Sequence, residues 1–210
     1  MLISKGVFKS DCSTARTASA CNLSSEQETV TGELLKQLRV EKCLYTRIAI
    51  AKSLEKGNIN TAKQMIGYLG IIGDNQHKEL PKTVSRKTSF PLPRDIIARS
   101  LGNMDIAVFD EIIDVIEGKD IIKISEALDA IGYMAFYHPQ LATLHNAEPI
   151  FSLVEYCAEN KLILWKAMLC LSSFGLKESK EILMKFSNEN TVIGQEAQRS
   201  LGFLKMRNGL

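Results

Sequence analysis

Apolar residues recur along this chain at three- and four-residue intervals, and nowhere do they alternate as the exposed and buried faces of a strand would. Val30, Leu34 and Leu38 form the first such stripe, and Ser25 with Glu28 in SSEQE stands at capping-box spacing, so order is predicted to begin at Ser25. LYTRIAIAKSLEK reads as a second helix stopped by Gly57, and Asn60 is placed to cap a third in NTAKQMIGYLG. Pro93 suits the first turn of a helix through RDIIARSLGNM, where a missing N–H costs nothing. In DIAVFDEIIDVIEG, Phe109, Ile112, Ile113 and Ile116 share one stripe, with Asp110, Glu111, Asp114 and Glu117 on the solvated side. Asp120 is a predicted cap for IIKISEALDAIGYM, whose stripe runs from Ile121 through Ile124, Leu128 and Ile131 to Ala135. AEPIFSLVEYCAEN, LILWKAMLCLSSFG, LKESKEILMKFSNE and NTVIGQEAQRSLGFL complete ten predicted helices and an all-α chain. Residues 1–24, rich in Ser, Thr and Ala without any period, read as a poorly ordered leader.

Alternate helices share a register. IAKSLEKG, IARSLGNM, SEALDAIG, AMLCLSSFG and AQRSLGFL each set a small side chain ahead of a leucine, at Leu54, Leu101, Leu128, Leu171 and Leu201. With 74–93 and 135–147 set aside as insertions, these leucines recur about every 30 residues. A small residue beside a leucine knob lets a neighbouring helix backbone approach closely. On this pattern residues 25–205 resemble the HEAT-repeat family, in its short-helix, phycobilisome lyase-type HEAT-like form. The resemblance implies an α-solenoid of about five helix pairs in a right-handed superhelix, the second helix of each pair lining a concave face. An irregular helical bundle is the alternative architecture.

Composition narrows the function classes. An apolar content of 45% is ordinary for a globular protein; the opening MLISKGVFKS lacks the apolar run of a signal peptide, and no stretch approaches a membrane span. The five cysteines and three histidines show neither a CxxC pair nor metal-ligand spacing. Reduced thiols in a cytoplasmic protein are expected, with Cys43, Cys157 and Cys170 buried as small hydrophobes and with no metal or cofactor. Net charge is +2, but residues 1–103 carry +7, residues 104–160 carry −9 and the remainder +4. Such a polar molecule suits a charged protein partner better than a nucleic-acid backbone, and membrane association is not expected.

The resemblance also implies chemistries to be checked. Deoxyhypusine hydroxylase-like relatives hold two irons with His-Glu pairs, and no His-Glu dipeptide occurs here. Bilin lyases form another branch, without a residue pattern that this chain matches. HEAT-like DNA glycosylases place aromatic, acidic and arginine side chains on a basic concave surface; the repeat register offers Lys52, Asp95, Arg99, Trp165 and Arg199 for one shared face. No catalytic residue is assigned. The more informative segment is the first insertion, DNQHKELPKTVSRKTSFPLP, whose three prolines exclude a continuous helix. Lys78, Lys82, Arg86, Lys87 and Arg94 make it basic, and Phe90 and Leu92 are placed to anchor its far end on the helices. A connection of about 20 residues in a compact protein is generally functional or disordered. The expectation is a non-enzymatic scaffold that binds an acidic partner protein through this loop and a concave face, with a HEAT-like enzyme as the alternative.

Overall fold

Asn58, Asp95, Asp120, Thr143 and Asn160 each accept a backbone N–H from the turn that follows, and so fix the starts of five helices. The computed structural model describes residues 10–23 and 28–207. The capped helices are α4 (Ile59–Ile66), α5 (Ile96–Gly102), α7 (Ile121–Tyr137), α8 (Leu144–Tyr156) and α9 (Lys161–Leu171). With them stand α1 (Ser13–Asn22), α2 (Glu28–Val40), α3 (Leu44–Leu54), α6 (Phe109–Ile113), α10 (Lys177–Ser187) and α11 (Val192–Arg207), and no strand occurs among the described residues. None of the described helices is long and apolar enough to cross a membrane.

Several expected boundaries move, each for a local reason. Asn58, not Asn60, caps α4, because its side chain reaches Thr61 N at 3.2 Å. Pro93 lies ahead of α5 and not within it, since Asp95 takes the cap by accepting Ala98 N at 2.8 Å. The stripe of Phe109, Ile112, Ile113 and Ile116 is buried as expected, but 106–117 divides into 3₁₀, α and 3₁₀ turns. Helix α7 runs on to Tyr137, so the second insertion, 135–147, begins as helix. The capping box falls on Ser25 and the Glu28 side chain, outside the described residues, as do residues 1–9 and 24 of the leader. The rest of the leader is not without structure: α1 lies on α3, joined by Thr17 Oγ1 to Thr46 Oγ1 at 2.9 Å and tied to Glu41 by Arg16. No apolar stripe announces α1, because polar contacts to its neighbours hold it.

Helices α1, α3, α5, α7, α9 and α11 touch one another in that order, and α2, α4 and α6 form a second row against them. Leu54, Leu101, Leu128 and Leu171 are completely buried in the core, and Leu201 is partly buried against it. Each fully buried leucine contributes about 1.5–3 kcal/mol of transfer free energy. Cys157 and Cys170 are buried as expected, but Cys43 is only half-buried, because it occupies the N-cap of α3.

Residues 74–95 cross this stack as irregular backbone. Gly70 and Gly73, at φ 73° and 85°, turn the chain into the segment; side chains rarely tolerate that region. Its far end is anchored by Phe90, only 3% exposed, whose ring lies against Tyr133 and Phe136 of α7. Gly132 makes the seat: a Cβ there would stand 2.6 Å from the Phe90 ring and 3.1 Å from the Cα of Cys170. Leu92 does not share the anchoring role; it is 55% exposed.

Candidate functional site

The long segment does not hang free. Residues of 81–85 and 91–94 roof a cavity of about 260 Å³ whose floor comes from three successive helices. Asp129 of α7, Trp165 and Leu169 of α9, and Glu196 and Arg199 of α11 line it. The i,i+4 and i,i+3 spacings of the latter two pairs put each pair on one helix face. Arg199 is the fastener: Nη1 donates to Glu196 Oε1 at 2.6 Å, Nη2 donates to the Lys87 carbonyl at 3.1 Å, and Cζ stands 4.5 Å from the Phe203 ring centroid. His77 packs edge-on to Trp165 at 5.0 Å. Burial, then the neighbouring positive charges of Arg94 and Lys166, holds the His77 imidazole below its ordinary pKa, and hence neutral at pH 7.

Hydrogen bonding around this cavity is incomplete. Trp165 is 7% exposed and Glu196 is 0% exposed, yet Trp165 Nε1, Glu196 Oε2 and Arg199 Nε have no hydrogen-bond partner. A buried polar group left in this state costs about 1–3 kcal/mol. Burial pushes the Glu196 carboxyl up; Arg199 and the nearby Trp165 indole oppose the rise, although the indole and carboxylate fall short of bonding geometry.

Behind Asp129 lies a buried ionic triad. Lys166 Nζ, fully enclosed, donates to Glu126 Oε1 at 2.8 Å, Asp129 Oδ2 at 2.9 Å and the Ser125 carbonyl at 3.1 Å. Burial works to lower the Lys166 pKa, but the facing carboxylates outweigh it and hold the ammonium charged. Burial raises the Glu126 carboxyl against the pull of Lys166.

The residues singled out by the repeat register have different partners. Trp165 and Arg199 meet in the cavity. Asp95 is completely buried, where it caps α5 and accepts Gln76 Nε2 at 2.7 Å and Gly70 N at 3.3 Å, tying the two ends of the irregular segment together. Lys52 pairs with Glu55 at 2.6 Å, and Arg99 donates to the Pro93 carbonyl at 2.9 Å; both act on the Tyr133 hydroxyl.

Within the basic segment, Lys82, Arg86 and Lys87 are exposed and form no ion pair among the described residues. Lys78 pairs with Asp74 at 3.2 Å, and Arg94 is held by Asn75 Oδ1 at 3.2 Å beside the His77 ring. Sequence reasoning did not select Asp129, Lys166 or Glu196. The available signal was Lys166, the single charge inside the apolar run LILWKAMLCL. A larger depression of about 660 Å³ lies beside α8, but none of the unpartnered buried atoms lines it. No cluster able to hold a metal ion occurs among the described residues. Comparison with protein families, curated proteins and solved structures finds no match to this chain.

Proposed function

We propose that the chain is a HEAT-like α-solenoid acting as a non-enzymatic scaffold, which binds another protein through its concave face and the basic loop at 74–93. The solenoid reading is supported by the serial contact of α1, α3, α5, α7, α9 and α11, and by the complete burial of Leu54, Leu101, Leu128 and Leu171. One observation carries the binding role: the loop is anchored by Phe90 while Lys82, Arg86 and Lys87 stand exposed without ion pairs. Unpaired cations on a backbone stiffened by prolines lose little conformational entropy on docking, and they select an acidic surface. The alternative, a HEAT-like glycosylase or lyase, calls for Trp165 beside Asp95 or Arg99; Asp95 instead bonds Gln76 and caps α5, and Arg99 donates to the Pro93 carbonyl. Affinity capture tests the reading. A partner retained by the natural chain at about 50 mM salt should be lost from Lys82→Ala/Arg86→Ala/Lys87→Ala, and weakened at about 300 mM salt. Retention by the triple variant defeats the loop's role, and a salt-sensitive shift of nucleic acid in a gel would replace the protein partner.

A further inference from the structure

The depression of about 660 Å³ beside α8 joins an apolar floor to an acidic rim. Ile116, Ile121, Ile124, Pro149, Leu153 and Tyr156 supply the apolar surface, with Tyr156 89% exposed and Ile121 42% exposed. Its wall on α8 runs from His145 to Cys157, about 18 Å at the helical rise, the length of a three-turn helix. Charge selects what can lie there. Residues 104–160 carry −9, but Lys166 answers Glu126 and Asp129 inside, Lys63 answers Glu111, and Lys123 answers Asp120 at 3.9 Å. Asp114, Glu117, Glu148 and Glu155 are exposed and form no ion pair among the described residues. Lys119 is the one lysine or arginine among the residues that line the groove. Pro149 withholds the N–H that the His145 carbonyl would otherwise receive, which adds an acceptor to the rim. With no strand among the described residues, an extended peptide would find no ladder for its backbone, whereas a helix satisfies its own.

We propose that this groove docks a basic amphipathic helix of a partner protein. The helix lays its apolar stripe on Ile121, Leu153 and Tyr156 and sets its lysines or arginines against Glu117 and Glu148. No residue of the basic loop lines the groove, so this docking is independent of the loop's role proposed above.

The probe is a fluorescein-labelled peptide of about 14 residues, leucine and lysine only, with its leucines at helical spacing. Anisotropy with the full chain at about 50 mM salt should give a Kd on the order of 10 μM, weakening at least about fivefold at about 300 mM. The same peptide with glutamate in place of lysine should bind at least about tenfold more weakly. Glu117→Lys/Glu148→Lys should reverse that order. Ser152→Trp, at an exposed position inside the groove, should abolish binding of the lysine peptide while the helical circular dichroism persists. Absence of saturable binding, equal affinity for the two peptides, an order that survives the charge reversal, or binding untouched by Ser152→Trp would each overturn the proposal. So would a dimer, seen by light scattering, that Ser152→Trp dissolves, since a second copy would then be the occupant.

Discussion

Lys166 shows how much one side chain decides in this core. Its ammonium answers Glu126 and Asp129 at 2.8 and 2.9 Å with no solvent contact, so Lys166→Met strands two buried carboxylates. The expected loss is about 3–5 kcal/mol, read by urea unfolding. Burial already raises the Glu126 carboxyl and Lys166 opposes the rise, so without the cation the folded state binds a proton more readily at Glu126 and the deficit should narrow as pH falls from about 7 to about 5. Glu41 has the opposite sign. Arg16 Nε and Nη2 at 2.8 and 2.9 Å chiefly, with Cys43 N and Gln37, hold it down from 4.5 to about 2 against its burial. Its folded pKa is depressed, so the stability it lends is present above pH 4.5 and is lost as pH falls through about 2. Glu41→Gln should therefore lower Tm clearly at about pH 6 and by less at about pH 3.

At the scale of elements, the seat of the loop on α7 is the contact that matters. Gly132→Ala would drive a methyl group into the Phe90 ring and towards the α9 backbone, the ring being able to move and the backbone not. Phe90→Ala removes an aromatic anchor from a buried site, at a cost of about 3–4 kcal/mol within the element it holds. In both variants trypsin should cut at Lys82, Arg86 and Lys87 markedly faster than in the natural chain, while the helical circular dichroism persists. Unchanged cleavage would show that the loop is held elsewhere, with the Arg199 bond to the Lys87 carbonyl the first alternative.

Across the whole molecule, charge and stability separate. Replacing Lys82, Arg86 and Lys87 by alanine takes the net charge from +2 to −1 but removes no ion pair seen among the described residues. Unfolding free energy should stay within about 0.5 kcal/mol of the natural value in a urea titration. A larger loss would mean that these side chains hold the fold, not a partner. The opposite distribution governs the acidic centre: Glu126 and Asp129 of the −9 segment are spent inside, and Glu111 pairs with Lys63 at 3.3 Å.

Helix type and the burial of Leu54, Leu101, Leu128 and Leu171 were legible in the sequence, because a 3.6-residue period records which side of a helix faces the core regardless of what it meets there. Asp120 as a cap and Phe90 as an anchor were legible for the same local reason: backbone and neighbours in sequence decide them. Helix α1 was not, since polar bonds to distant Glu41 and Thr46 hold it. Nor was the cavity, assembled from α7, α9, α11 and a loop far from them in sequence. Residue spacing cannot record that Arg199 would meet the Lys87 carbonyl 112 residues away, or that Asp95 would turn inward to bind Gln76 and Gly70. Those pairings depend on which backbones pack together, and only the folded arrangement of helices decides that.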